Sequence, residues 1–143
     1  MFDIFESKNK KLVKRWKKEH EQLVVLANKV LSAYVKGEES ETRRQLKKFV
    51  DVAMEHLSDE DIELYRILRD PSRKDQGTEK YVDQYYKTFK DTKSTLMQFL
   101  SKYVRPETPL DEEFFKTFEQ IAGILRERID YEEQNLYFWL NFG

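Results

Sequence analysis

The sequence predicts an all-α protein, an antiparallel up-down-up-down four-helix bundle, and three observations carry that expectation. Apolar residues recur at alternating spacings of four and three over long runs, which makes one buried stripe along a helix. Four Gly and three Pro in 143 residues divide the chain into four long segments and leave too few turns for an all-β fold. No stretch alternates with the period of two that a half-buried strand needs.

The first helix is expected from about Ser7 or Asn9 to Gly37. Leu12, Trp16, Leu23, Ala27, Val30 and Tyr34 form its stripe, with His20 filling the gap between Trp16 and Leu23. The second helix is expected to cap at Ser40 and run to about Arg69, because Asp70 precedes Pro71 and is biased away from helical geometry. Its stripe reads Leu46, Phe49, Ala53, His56, Glu60, Leu64, Ile67, so two polar residues lie on a face that should be buried. The polar run PSRKDQG follows as a loop. A third helix is expected from near Thr78 to before Pro106, carrying Tyr85, Phe89, Thr92 or Lys93, Leu96, Leu100 and Tyr103. The fourth is expected to open with Thr108 as N-cap and Pro109 in the first helical position. Its stripe is Phe118, Ile121, Leu125, Arg128, Glu132, Leu136, Trp139, again broken by two polar residues. The N-terminal FDIF is expected to pack against the bundle end.

Composition narrows the function. The length suits one domain, residues 1–143. The 26 Lys+Arg nearly cancel the 27 Asp+Glu, so there is no basic excess for nucleic acid or an anionic membrane. The absence of cysteine excludes disulfide scaffolds, iron–sulfur clusters, cysteine–zinc sites and thiol nucleophiles. With two His, a metal site must draw on carboxylates. The N-terminal stretch has no apolar h-region and no segment approaches the ~20 apolar residues of a membrane span, so the expected location is cytoplasmic. No Gly-rich phosphate loop, G-x-S-x-G or nucleophile–base pair is present, so the expectation is not an enzyme.

The chain contains an internal echo. HLSDEDIELYRIL, from His56, aligns with RIDYEEQNLYFWL, from Arg128, pairing Glu60 with Glu132, Leu64 with Leu136, Tyr65 with Tyr137 and Leu68 with Leu140. Setting Leu23 against Leu96 places His20 opposite Lys93. The bundle therefore reads as two related helical hairpins. Tyr65 and Tyr137 read as core-edge aromatics, and the runs KRWKKEHE and RRQLKK as solvated faces.

His56 and Glu60, four apart, share one helix face about a turn from each other, a sound geometry for two ligands of one ion. Two such pairs on facing helices, with a His from each remaining helix, would build a metal site inside a bundle. Imidazole and carboxylate together suit iron, manganese and zinc.

EHEQLVVL, HLSDEDIELY and the later EE..LY segment resemble the hemerythrin, or HHE cation-binding, domain, and the resemblance covers nearly the whole chain. It implies a His from the first helix, an H-x-x-x-E pair from the second, one or two His from the third, and a His with a carboxylate from the fourth, around a di-iron centre. Carried over residue by residue, His20, His56 and Glu60 take ligand positions and Glu132 takes the fourth-helix carboxylate. Arg128 stands where the fourth-helix His would be, and Lys93 (Thr92 with a slip of one) at the third-helix position. Arginine stays protonated and is no ligand, whereas buried carboxylates need a compensating charge. The expectation is that Glu60 and Glu132 pair with Arg128 and Lys93 in the core. The resemblance then implies a reduced site that holds no metal or one weakly held ion, iron if any, in a non-enzymatic sensing, binding or regulatory module. The alternative is a working iron protein with one or two metals, for oxygen or redox-linked binding.

A weaker similarity joins NKKLVKRW, FVDVAMEHLSDEDIELY and ILRERIDYEE to the Rsd/AlgQ family of sigma-factor-binding regulators, which have a related Arg and acidic pair where Arg128, Glu132 and Glu133 stand. It leaves a protein partner as the partner class open to this chain.

Overall fold

The structure, a computed structural model, describes residues 8–68 and 76–137, apart from the side chains of residues 67, 68, 76–79, 81 and 82. The side chains of Ile67 and Leu68, together with Trp139, Leu140, FDIF and most of PSRKDQG, lie outside the described residues. Helix α1 spans Lys8–Val35, α2 Glu39–Leu68, α3 Gln76–Phe89, α4 Thr92–Tyr103 and α5 Glu112–Tyr131, which runs on through a π-helical turn, Glu132–Leu136. No strand occurs among the described residues, and the fold is the expected all-α bundle with α3 and α4 together forming its third rod. The pairing of α1 with α2 is the most extensive.

The first hairpin turns where Gly37 adopts φ 74°, a left-handed conformation open to glycine at little cost. Gly37 N–H bonds Tyr34 O and Glu38 N–H bonds Ala33 O, both at 3.0 Å, closing the last turn of α1 in a Schellman pattern. Helix α2 begins one residue before the expected Ser40 cap, with Glu39 and Glu41 complementing the positive end of its dipole.

The third rod differs from the expected unbroken helix: it breaks at Lys90 and Asp91. The Thr92 hydroxyl donates to Phe89 O at 2.8 Å, taking a carbonyl that a continuous helix would reserve for the backbone N–H of Lys93. This settles the register left open by the sequence. Thr92 faces the core, and Lys93 turns outward to pair with Asp61 at 2.5 Å.

The α4–α5 loop is held by Arg43, whose Nη1 donates to Tyr103 O and Arg105 O (2.5 and 2.8 Å) and whose Nη2 donates to Pro106 O and Thr108 O (3.3 and 2.7 Å). Part of the RRQLKK run therefore clasps a loop instead of facing water. Helix α5 starts at Glu112 and not at the expected Thr108-Pro109, because Asp111 is the better cap: its carboxylate accepts from Phe114 N–H at 3.1 Å, and Glu112 and Glu113 follow it.

Two apolar cores fill the bundle. One packs Leu23, Val30, Leu46, Phe49, Phe99, Phe114, Phe118 and their neighbours. The other packs Leu12, Trp16, Leu64, Tyr85, Phe89, Leu136 and Tyr137. Each fully buried large apolar side chain contributes about 1.5–3 kcal/mol of transfer free energy. Along each helix the polar stripe residues fall between the two cores: His20 between Trp16 and Leu23, His56 and Glu60 between Ala53 and Leu64, Arg128 and Glu132 between Leu125 and Leu136. A polar layer thus crosses the bundle.

Candidate metal centre

Four side chains from three helices converge in that layer. His20, His56, Glu60 and Glu132 are all buried, and each offers one ligand atom within 4.8 Å of the others. His20 Nε2 lies 3.0 Å from His56 Nε2 and 2.9 Å from Glu132 Oε1. His56 Nε2 contacts Glu60 Oε1 within its own helix and lies 3.9 Å from Glu132 Oε1. The i, i+4 spacing on α2 puts His56 and Glu60 on one face, and His20 reaches the same point from α1 because the neighbouring stripe residues Trp16 and Leu23 fix that face inward.

The outer nitrogens meet carboxylates. His56 Nδ1 lies 2.5 Å from Glu19 Oε1, and His20 Nδ1 lies 3.5 Å from Glu133 Oε2. The Glu19 carboxylate on His56 Nδ1 fixes that ring and its tautomer and turns Nε2 toward the centre, the usual support for a metal-binding imidazole, whereas His20 Nδ1 makes no hydrogen bond among the described residues. Trp16 packs its edge on the His56 ring, and its indole N–H donates to Asp59 at 2.9 Å.

Glu132 is the hub. Its Oε2 accepts from Arg128 Nε at 3.1 Å and from the Tyr85 hydroxyl at 2.6 Å. The Tyr137 hydroxyl lies 3.2 Å from His20 Nε2 and donates toward Glu132 Oε1 and Glu60 Oε2 at 3.3 and 3.4 Å. The Arg128 guanidinium also sits over the Tyr85 ring, 4.5 Å from its centroid.

Charge and burial set the protonation. Burial would strip the proton from His56, but Glu132 and Glu60 outweigh it and push the ring up to about 10. Burial and the neighbouring Glu132 charge push Glu60 up to about 8. For Glu132 burial acts upward, yet His20, His56 and Arg128 hold the carboxyl well below its usual range. Burial, reinforced by the two carboxylates, keeps the Tyr85 and Tyr137 hydroxyls protonated as donors.

The structure thus brings together His20, His56, Glu60, Glu132 and Arg128. The expectation that Lys93 joins them is corrected: with Thr92 inward, the Lys93 ammonium is bound to Asp61 with its side chain 37% exposed. A lysine that can reach water and a surface carboxylate has no reason to enter the core. Glu19, Glu133, Tyr85 and Tyr137 surround the candidate ligands without having been among them. Glu19 and Glu133 sit next to the candidate ligands His20 and Glu132, which is the signal that could have found them. Tyr85 was placed on the stripe without its hydroxyl being used. Tyr137 is inward because of the π turn: its N–H bonds Glu132 O, five residues back. In an α-helix the fifth residue after Glu132 would point about 140° away from it.

The family model of the hemerythrin HHE cation binding domain matches residues 11–140. The chain belongs to this family. No curated protein and no solved structure matches it. As hemerythrin-like domains bind metal ions, usually iron, the donor set is to be judged against that chemistry. The donor set suits a divalent cation: two imidazole Nε2 atoms and two carboxylates converge, with the His56 ring held at Nδ1 by Glu19. The remaining oxygen of Glu132 is engaged by Arg128 and Tyr85, and a fixed cation stands where the fourth helix would supply another ligand. No helix among the described residues is long and apolar enough to cross a membrane.

Proposed function

We propose that this hemerythrin-like chain is a non-enzymatic cytoplasmic sensing module whose centre takes a single divalent cation, iron before manganese or zinc. The observation that carries this reading is the meeting of His20 Nε2 and His56 Nε2 at 3.0 Å beside Glu60 and Glu132. His20, His56, Glu60 and Glu132 would hold the ion. Glu19 orients the His56 ring, Tyr137 donates to the carboxylates, and Arg128 with Tyr85 fixes Glu132. Iron in such a site supplies a redox-active Lewis acid whose occupancy reports the availability of the metal.

The chain's own groups manage a proton in its place. At neutral pH the His56 imidazolium donates from Nδ1 to Glu19 and from Nε2 to Glu60, so cation entry requires that the Nε2 proton leave. Metal analysis of untagged protein prepared without chelator tests the reading. One iron per chain, together with a melting temperature that rises with iron(II) and falls again with EDTA, is expected, since a ligand of the native state alone stabilises it. Two tightly held irons per chain overturn it. A second reading, a metal-independent protein-binding module, is favoured by the Arg128–Glu132 pair, which already compensates part of the buried charge. Indifference of the melting temperature to iron, zinc and EDTA selects that one.

A further inference from the structure

The Tyr137 hydroxyl stands among the candidate ligands at the distance that ligands keep from one another. Its side chain is buried, and its Oη lies 3.2 Å from His20 Nε2, 3.3 Å from Glu132 Oε1 and 3.4 Å from Glu60 Oε2. All three contacts are longer than the roughly 2.5–3.0 Å of a good hydroxyl hydrogen bond. Tyr85, by contrast, donates to the far oxygen of Glu132 at 2.6 Å. At metal–ligand bonds of about 2.0–2.2 Å, two donors at right angles lie about 3 Å apart and two tetrahedral donors about 3.4 Å apart. His20 Nε2 keeps such spacings too, 3.0 Å to His56 Nε2 and 2.9 Å to Glu132 Oε1. Tyr137 Oη thus neighbours three of the four candidate ligands as a further ligand would.

The backbone is built to bring it there. Glu60 and Glu132 are each followed five residues later by a tyrosine. After Glu60 the helix is regular and Tyr65 faces outward; after Glu132 the π turn carries Tyr137 into the core. Such turns recur at functional sites. Arg128 on the same rod cannot ligate, so Tyr137 is the one further donor that this rod sets beside the centre on its ligand side.

We propose that Tyr137 is a fifth ligand of the centre and binds iron(III) there as a phenolate. The proposal rests on the single-cation reading and adds the oxidation state that the same donors accommodate. Charge supports it. Glu60 and Glu132 balance a divalent ion, and the phenolate supplies the third negative oxygen that a trivalent ion needs. Tyrosine oxygen is an established kind of iron ligand. With no ion present, burial and the two carboxylates keep the hydroxyl protonated. A trivalent ion held by those carboxylates reverses the local potential: the Oη–H bond is exchanged for an Oη–Fe bond, and the proton passes to solvent.

The test uses the full chain, stripped of metal with EDTA, dialysed, given one equivalent of iron(III) as its nitrilotriacetate, and desalted. Iron content and the visible spectrum are read on the same sample. One retained iron per chain is expected, with a phenolate-to-iron(III) charge-transfer band and tyrosinate ring vibrations enhanced on exciting into it. Tyr137→Phe should lose the band and bind iron(III) about tenfold or more weakly, with a smaller change for zinc(II), which has no need of a third negative oxygen. Tyr65→Phe should keep the band. Should Tyr137→Phe not fold, Tyr137→His, which retains a ring and a donor, is expected to lose the band in its place. Iron(III) retained without the band, or a band that survives in the Tyr137 variant, overturns the proposal and leaves the cation reading standing. Uptake of iron(II) or zinc(II) with no retention of iron(III) does the same. Protein that takes up no metal ion overturns both.

Discussion

His20 Nε2 and His56 Nε2 face each other across 3.0 Å, and Glu19 holds the His56 ring in that pose from behind its outer nitrogen, 2.5 Å away. The arrangement places one nitrogen of each ring and two carboxylates around one point. Replacing His56 therefore does two things. His56→Ala leaves Glu19 and Glu60 without their shared donor, and we expect a loss of about 1–3 kcal/mol in metal-free protein by urea unfolding. It also abolishes the melting-temperature rise on adding iron(II). A variant that keeps that rise places the cation elsewhere.

Proton and metal compete for the same nitrogen, which fixes the pH behaviour. His56 is raised from 6.5 to about 10, so its contribution to folding is complete below 6.5 and lost as pH climbs to about 10. Glu60, raised from 4.5 to about 8, works in the same direction between those values. The melting temperature of metal-free protein should fall as pH rises from about 6.5 to about 10, while cation affinity rises across that range. Thermal scans at fixed ionic strength, with and without metal, read both trends. A flat metal-free curve would show that the His56 proton is not held by the carboxylates.

Arg128 and Glu132 form a buried pair one helical turn apart at 3.1 Å. Removing one member of such a pair leaves a charge without its partner, and Arg128→Met is expected to cost about 3 kcal/mol in urea unfolding. Adding Glu132→Gln should return part of that loss, since no uncompensated charge then remains. Independent, additive losses in the double variant would mean that the two side chains do not interact.

Lys93 serves as the control. Its pair with Asp61 is partly exposed, and Lys93→Ala should change stability by less than about 1 kcal/mol. A loss as large as that of Arg128→Met would return Lys93 to the core.

The two echo tyrosines make a matched comparison. Tyr65 is 55% exposed and Tyr137 1% exposed, although the sequence alignment pairs them. Tyr137→Phe removes a buried donor to two carboxylates and should cost about 1 kcal/mol. Tyr65→Phe should stay within about 0.5 kcal/mol. Equal effects in urea unfolding would deny the asymmetry.

That comparison also shows how far the sequence could be read. His20, His56, Glu60, Arg128 and Glu132 were legible because each interrupts an apolar stripe at helical spacing, and periodicity survives wherever the helix is regular. What was not legible depends on local departures from that regularity. The Thr92 hydroxyl breaks the third rod and sends Lys93 outward. Asp111 outcompetes Thr108 as a cap through a single carboxylate bond. Arg43 looked like one charge among several and instead binds four carbonyls. Tyr137 lies beyond a change of helical phase that no count of four and three contains.

The π turn carries a consequence for insertions and deletions. A residue lost from the middle of an α-helix rotates everything beyond it by about 100°, which ordinarily turns a buried face to water. Between Glu132 and Leu136 the helix already holds one residue more than a regular turn needs. Loss of the exposed Gln134 would bring Tyr137 to four residues beyond Glu132, the spacing at which a plain α-helix keeps both on one side. This stretch of the bundle is thus where the chain can shorten by a residue with its inward face kept in step, and where a regular ancestral helix could have lengthened by one.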